Sequence, residues 1–313
     1  MRPASPFTAI KAVESWDAWF RWRDAGGLRD RTIESTWWRV ARAVAAVEVA
    51  QAEAWSRRYY DAFAQWRLLP DEALLRGAGT RVRSGSGGAL SATLNVAAFV
   101  RAPRGGLDLD AFADTAALAV RLLDDARLAG CAGERHGSEV RIGVLGMADA
   151  LRELGADYDS TAARDIAAGV ASALAHGALR GAVELARERG RTLADEAPDG
   201  AAMSPRLDAA LRADYEQWGS RYARLTAIAP QPRLARLANA ASDALDPAGD
   251  TAQASLLAQL QLRTAMQPWI DAPIDYPLLA PDEGGDEQVR EVTRYAQAQG
   301  IALPAIVARA PAA

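Results

Sequence analysis

The side chains that carry most enzyme chemistry are scarce in this sequence. Its 313 residues include one cysteine, Cys131, two histidines, His136 and His176, and one lysine, Lys11. A single thiol excludes an intramolecular disulfide and a CxxC redox pair. Lys11 lacks the Gly-Lys context of a phosphate-binding P-loop and the context of a Schiff-base lysine, and the histidines form no HxxxH or HExxH arrangement. We therefore expect no metal site, no P-loop chemistry and no pyridoxal chemistry.

Carboxylates, hydroxyls and glycines add no complete catalytic motif. Asp124 and Asp125 are adjacent near the end of a predicted helix, so we expect both to face solvent rather than one substrate. The sequence has no GxSxG nucleophile elbow, and the GVLG stretch at residues 143–146 lacks the third glycine and the acid of a dinucleotide fingerprint. Gly177 and Gly181 form a GxxxG motif, which predicts close packing against another helix.

The charge balance argues against nucleic acid and membrane partners. The chain has 36 basic and 40 acidic residues, a net charge of −4, and 50% hydrophobic residues. This composition is typical of a globular protein and gives no basic footprint for DNA, RNA or an anionic membrane. Charges interrupt the N-terminal segment where a signal peptide needs an apolar core, and uncharged runs such as residues 166–179 are short for a membrane-spanning helix. We expect a cytoplasmic protein.

Three regions are predicted along the chain. Residues 1–80 form a helical N-terminal region, in which Trp16, Trp19 and Trp22 are expected on one side of a helix that packs against a second helix beginning near Thr32. Residues 81–92 contain the Gly/Ser-rich stretch RVRSGSGG and are expected to form a loop. Residues 93–313 form an α/β region.

Strands and helices alternate through the third region. Apolar runs predict buried strands at residues 93–100, 140–146, 224–230 and 304–309. Asp108 is expected to cap a helix that ends near Gly130, and Asp159 or Ser160 to cap a long helix after it. This alternation predicts a helix-rich α/β fold behind the helical N-terminal region.

The stretch VRIGVLGMADALRELGADYDS, residues 140–160, resembles the catalytic large subunit of ribonucleotide reductase, especially its adenosylcobalamin-dependent branch. The segments LNVAAFV, AVRLLDD, RLTAIAP and ASDALDP resemble further segments of that family in the same order. The resemblance covers nearly the whole chain from about residue 32. It implies a partial ribonucleotide-reductase-like α/β barrel.

The same resemblance shows what this chain lacks. The family's reaction needs a radical cysteine and a reducing pair, but residues 81–90 replace the section that carries the radical cysteine, and Ala89 stands at the second reducing position. Cys131 matches no catalytic position. The family's substrate-phosphate loop corresponds to Gln231, Pro232 and Arg233 after Pro230, and the proline removes a backbone donor there. These departures imply a truncated, catalytically degenerate homologue.

The leading hypothesis is therefore a non-catalytic ribonucleotide-reductase-like protein. It would act as a binding, regulatory or structural partner related to deoxyribonucleotide synthesis, through self-association or through a full-length ribonucleotide reductase.

Two enzyme alternatives stay open. One is a ribonucleoside-diphosphate reductase, and the other is a repurposed enzyme acting on a nucleotide-like phosphate ligand. The nucleotide-binding candidates are Pro230, Gln231 and Arg233, and the barrel-mouth candidates are Asp246 and Asp271. No cofactor is expected, and adenosylcobalamin would be used only if the family function is retained.

Overall fold

A four-stranded sheet organises the fold. We describe it from a computed structural model, in which residues 6–81, 89–101, 105–131, 139–191, 208–249, 253–281 and 285–308 are described. The strand order is β3-β4-β5-β6, with β3 antiparallel to β4 and with β4, β5 and β6 parallel. The strands are β3 (Leu68–Pro70), β4 (Leu90–Asn95), β5 (Glu139–Leu145) and β6 (Arg224–Thr226).

The helices pack around this sheet and account for most of the described residues. Their bounds are α1 (Ile10–Ser15), α2 (Ile33–Ala45), α3 (Ala52–Ala64), α4 (Glu72–Gly77), α5 (Leu109–Leu128), α6 (Met147–Glu153), α7 (Thr161–Arg189), α8 (Ala209–Trp218), α9 (Pro232–Leu237), α10 (Leu256–Met266) and α11 (Gly285–Gln299). Short 3-10 helices cover Ala46–Gln51, Val96–Phe99 and Gln267–Trp269. The prediction of a helix-rich α/β fold is confirmed.

Burial on both faces explains the composition of the central strands. Successive residues are buried in both strands, Thr93 and Leu94 in β4 and Val144 and Leu145 in β5, and successive side chains point to opposite faces. Parallel strands covered by helices read as continuous apolar runs, because neither face meets water. The run predicted as a strand at residues 140–146 is confirmed as β5, within one residue at each end.

The two long crossover helices begin at the predicted caps. The Asp108 carboxylate accepts a hydrogen bond from the backbone N–H of Ala111 at 3.1 Å, and α5 follows. The Ser160 hydroxyl accepts one from the N–H of Ala163 at 3.1 Å, and α7 follows. Both helices run back against the strand direction, because each connects the carboxyl end of one parallel strand to the amino end of the next.

Helices α5 and α7 approach each other so closely that glycine is required at the contact. A Cβ atom at Gly177 would overlap the carbonyl oxygen of Ala113, and one at Gly181 would lie 2.7 Å from the carbonyl oxygen of Ala117. Both pairs advance in the same direction, so the helices run parallel to each other. The close packing predicted from the GxxxG motif is confirmed.

Helix α7 is also long and apolar enough, by length and composition, to cross a membrane. In this fold, 61% of its most apolar window is buried inside the protein. It packs against α5 and α10. The apolar character of α7 is therefore used in the protein core.

The tryptophan-rich N-terminus differs from its prediction. Helix α1 ends at Ser15, a single π-helical segment covers Trp16–Phe20, and the chain then turns into a hairpin of β1 (Arg23–Asp24) and β2 (Gly27–Leu28). Trp16 is buried and its Nε1 donates to the Thr36 hydroxyl at 2.9 Å, whereas Trp19 is 43% exposed. The prediction of three tryptophans on one helix side is wrong, because the helix stops before Trp22.

Two other predicted strands are shorter than expected. The strand predicted at residues 93–100 begins earlier, as β4, and ends at Asn95, where a 3-10 turn carries the chain away from the sheet. The strand predicted at residues 224–230 ends at Thr226, although the N–H of Ala227 still donates to the carbonyl of Ile142 at 3.1 Å. Apolar runs therefore marked the strands but not their ends.

A second strand pair lies at the C-terminal end of the described chain. Strands β7 (Leu278–Ala280) and β8 (Ile306–Ala308) are parallel, and α11 connects them. A small apolar cluster of Leu256, Leu260, Leu278, Val292 and Ala296 holds α10, α11 and β7 together. Among the described residues, this pair and the four-stranded sheet do not close into a barrel. Residues 82–88 of the predicted Gly/Ser loop, His136 and the last residue of the strand predicted at 304–309 lie outside the described residues.

The contact between α5 and α7 gives a direct test of this packing. We expect Gly177→Ala to lower the free energy of unfolding by about 1–3 kcal/mol, because the new methyl group overlaps the backbone of α5. Gly169→Ala in the same helix is the matched control, since its Cβ would meet only Leu109 at 3.6 Å. The control should be neutral or stabilising by up to about 1 kcal/mol through helix propensity. Chemical denaturation of the two variants makes the measurement, and equal losses would contradict the close contact.

Candidate functional site

The carboxyl ends of β4, β5 and β6 meet at one edge of the sheet, which is where open α/β proteins place their ligand sites. Asn95 ends β4 and Gly146 directly follows β5. The Asn95 side chain is 7% exposed, and its amide oxygen accepts no hydrogen bond from the described residues. Gly146 has a φ of +74°, and a Cβ there would overlap that oxygen. Glycine therefore lets Asn95 sit against the neighbouring strand end.

The segment after β6 is anchored to the start of α6. The N–H of Gly146 donates to the carbonyl of Ser242 at 2.7 Å, and the N–H of Ser242 donates to the Asp149 carboxylate at 2.6 Å. Asp149 lies in the first turn of α6, where a carboxylate is favoured by the helix dipole. These bonds fix Ser242 beside the carboxyl end of β5.

The Asp243 side chain accepts a hydrogen bond from a backbone N–H of the predicted phosphate loop. Its carboxylate accepts the N–H of Gln231 at 2.6 Å. Burial raises the pKa of Asp243 to about 6, in opposition to the hydrogen bonds from Gln231 and Ala244. An anion of the protein itself thus takes the Gln231 N–H that a bound phosphate would need.

Arg233 is also engaged within the protein. Its guanidinium lies 3.0 Å from the Glu72 carboxylate and 4.1 Å from the centre of the Trp19 ring. Pro232, which has no N–H, is the first residue of α9, and Pro230 is exposed. The structure therefore brings Pro230, Gln231 and Arg233 into one turn. Gln231 and Arg233, however, are already bound to other groups of the protein.

The two barrel-mouth candidates lie in different settings. Asp246 is partly buried and lies 3.6 Å from the guanidinium of Arg263. Asp271 accepts the backbone N–H groups of Leu225 and Thr226 at 2.8 and 3.0 Å, and its own N–H donates to the Thr226 hydroxyl at 2.9 Å. Asp271 therefore satisfies the open edge of β6, as proteins commonly do for an edge strand.

A buried charge cluster was missed by the sequence reasoning. Asp124 and Asp125 are both completely buried, so the prediction that they face solvent is wrong. Asp124 accepts from Tyr222 at 2.7 Å and from Arg221 at 2.9 Å, and Asp125 accepts from Tyr59 at 2.6 Å. The helix α5 that carries them is covered on several sides, which its own sequence does not reveal. The arginine and tyrosine partners come from distant segments.

Arg189 joins the two carboxylates of this cluster. Its guanidinium lies 2.6 Å from Asp124 and 2.8 Å from Asp125. Burial opposes ionisation of Asp124, but hydrogen bonds from Arg221, Tyr222 and Arg189 hold its pKa below the ordinary value. Burial raises the pKa of Asp125 to about 6. Both carboxylates have hydrogen-bond and ion-pair partners within the protein. We therefore interpret the cluster as a structural link between α5, α7 and the segment before β6.

The thiol lies apart from the strand ends. Cys131 follows α5, which runs back from the carboxyl end of β4, so the thiol lies on the side where β5 begins. Its Sγ is 3.8 Å from the carbonyl oxygen of Ala43, and burial raises its pKa. His176 Nδ1 lies 2.8 Å from the carbonyl oxygen of Ser172. Within the described ranges, no group of three or more His, Cys, Asp or Glu side chains is arranged to hold a metal ion.

The parallel strands with crossover helices, and the site at their carboxyl ends, define an α/β protein. The family model for the ribonucleotide reductase barrel domain matches residues 90–255. This match covers more than half of the sequence, so the chain belongs to the ribonucleotide reductase barrel-domain family. That family comprises oxidoreductase domains of deoxyribonucleotide biosynthesis. A comparison with curated proteins found no match.

The buried carboxyl group of Asp243 predicts a pH dependence of stability. Its pKa rises from 3.8 to about 6 on folding, so the folded protein holds this proton more tightly than the unfolded chain. The stabilising contribution is complete below pH 3.8 and is lost as the pH rises to about 6. We expect the free energy of unfolding of the wild type to fall relative to Asp243→Asn by about 2–3 kcal/mol between pH 4 and pH 7. Parallel curves of unfolding free energy against pH would contradict this assignment.

Proposed function

We propose that this chain is a non-catalytic member of the ribonucleotide reductase family, derived from its adenosylcobalamin-dependent branch, and that it acts by binding. In this proposal the described fold is a partial barrel behind a helical N-terminal region. The single observation that carries the proposal is the position of the only thiol. Cys131 lies beyond the end of α5, on the opposite side of the sheet from the strand ends where the family's chemistry is expected.

The state of this thiol supports the same proposal. A cysteine is reactive as a thiolate, but burial raises the Cys131 pKa and so favours the neutral thiol. The resemblance implies a radical thiol together with a reducing pair, and one sulfur cannot supply both. Use of adenosylcobalamin as a radical source would require a thiol at the strand ends, but Asn95 and Gly146 lie there instead. The residues present do not fit that use of the cofactor.

The strand ends also favour binding over turnover. Gln231 and Arg233, the residues best placed to contact a phosphate, already contact Asp243 and Glu72. Asp271 is committed to the backbone of β6. A substrate at this edge would have to displace several protein contacts. The retained fold would therefore serve association, either with a second copy of the chain or with a full-length reductase.

An activity assay tests the catalytic half of the proposal. We expect the purified chain, supplied with adenosylcobalamin, a dithiol and ribonucleoside diphosphates or triphosphates, to form no deoxyribonucleotide above a protein-free blank. Cys131→Ala should behave as the wild type does. Product formation that disappears in Cys131→Ala would contradict the proposal and support the reductase alternative.

An association experiment tests the binding half. The surface to test first is the exposed apolar pair on α1, Ile10 and Val13, which are 78% and 41% exposed and lie on one helix face. Sedimentation velocity of the chain, alone and with the full-length reductase subunit of the same genome, should show a complex that Ile10→Glu weakens. Val49→Glu is the control, since Val49 is 86% exposed in a different segment. A monomer that forms no complex under either condition would contradict the binding role.

The nucleotide-binding prediction at Pro230, Gln231 and Arg233 has a separate test. Because these groups have protein partners, we expect a nucleoside diphosphate to leave the melting temperature unchanged. A rise that Arg233→Ala removes and Arg236→Ala retains would instead support a phosphate-binding remnant. Arg236 is a suitable control because it lies exposed in the same helix.

A further inference from the structure

A pocket of about 580 Å³ lies where strands β7 and β8 begin. Its walls are the segment between α10 and β7 and the segment between α11 and β8. The lining is mainly apolar and includes Leu260, Pro268, Pro273, Ile274, Ile301 and Leu303. Both segments precede parallel strands, so the pocket lies at the amino ends of β7 and β8.

The first wall of this pocket is held in place by a side-chain amide. Gln267 donates from Nε2 to the carbonyls of Ile270 and Ala272 at 3.1 and 3.2 Å, and its Oε1 accepts the N–H of Ile274 at 2.7 Å. Pro268 and Pro273 restrict the same stretch of backbone. A wall fixed before binding reduces the ordering cost that a ligand must overcome.

The two walls are also joined to each other and to α10. The N–H of Leu278 donates to the carbonyl of Ala305 at 2.7 Å. Arg263 donates to the carbonyls of Tyr276 and Pro277 and packs its guanidinium over the Tyr276 ring. The pocket is therefore a preformed feature of the fold.

The polar groups that line the pocket can still accept hydrogen bonds, but most of their donor hydrogens are already used within the protein. The Thr264 hydroxyl donates its hydrogen to the carbonyl of Leu260 at 2.8 Å, and the Gln267 amide hydrogens are both used. Asp275 is exposed, and no hydrogen bond or ion pair to it occurs among the described residues. The side chain of Arg263 is only 3% exposed and lies 3.6 Å from Asp246, so its charge is directed into the protein.

We propose that this pocket binds an organic cation, a small molecule with an apolar, ring-sized body and a protonated amine. The apolar walls accommodate the body, and Asp275 with the Thr264 and Gln267 oxygens accepts the ammonium hydrogens. This inference depends on the pocket alone. It holds whether or not the chain is catalytic.

Three ligands that share one ring test the proposed charge preference. Tryptamine is cationic, tryptophol is neutral and indole-3-propionate is anionic near pH 7. Dissociation constants are measured from the backbone amide shifts of Ile274 and Leu303 in NMR titrations. We expect tryptamine to bind at least about fivefold more tightly than tryptophol, and the anion to bind most weakly, because one charge pair at a solvated rim contributes a factor of this order.

Two variants locate the site, and a third serves as the control. Asp275→Asn should reduce tryptamine binding to the level of tryptophol, while Asp214→Asn, an exposed aspartate on α8, should change nothing. Ala302→Trp should fill the pocket and remove the shifts for all three ligands, with far-UV circular dichroism as the check on folding. Equal affinities for the three ligands, no saturable shift with any of them, or tryptamine binding unaffected by Asp275→Asn would overturn the proposal.

Discussion

The close approach of helices α5 and α7 is the constraint on which the rest of the structure depends. Each helix spans one crossover between parallel strands, so their separation fixes where β4, β5 and β6 lie relative to one another. Gly177 and Gly181 permit backbone contact with Ala113 and Ala117. The buried carboxylates of Asp124 and Asp125 then bind Arg189 near the far end of the same helix pair. Shape complementarity positions one part of the interface and charge pairing positions the other.

At the strand ends, polar groups that could meet a ligand are paired with other groups of the protein. Asp243 accepts the Gln231 N–H, Arg233 pairs with Glu72, and Asp271 satisfies the edge of β6. Each contact gives a polar group at the strand ends a partner within the protein.

The Cys131 thiol and the pocket beside β7 and β8 lie in different parts of the molecule. The thiol of Cys131 lies away from the strand ends, and this separation underlies the proposal of a binding role. The pocket between α10, β7 and β8 lies at the amino ends of its strands, where β/α proteins rarely place catalysis. Its fixed loops and acceptor groups give it a chemistry of its own, which does not depend on the family's reaction.

Local signals in the sequence were sufficient for many elements. Asp108 and Ser160 marked helix starts because a capping side chain acts within three residues, and the GxxxG motif marked a close contact because only glycine lacks the obstructing Cβ. The apolar run of β5 marked a buried parallel strand. The family resemblance added the order of these elements.

Tertiary structure alone decided the burial of Asp124 and Asp125, the end of the first helix before Trp22, and the partners of Arg233 and Asp271. These features depend on groups far away in the chain, such as Tyr59 and Tyr222 for the two carboxylates. A charged residue is predicted to be solvent-exposed, because the sequence does not show which distant arginine or tyrosine will lie beside it. The sequence by itself determined the family, the shortage of sulfur and the presence of the main helices and strands but not their ends, because these depend on local pattern and composition. The fold decided which polar groups remain available to a ligand, because availability depends on contacts between distant segments.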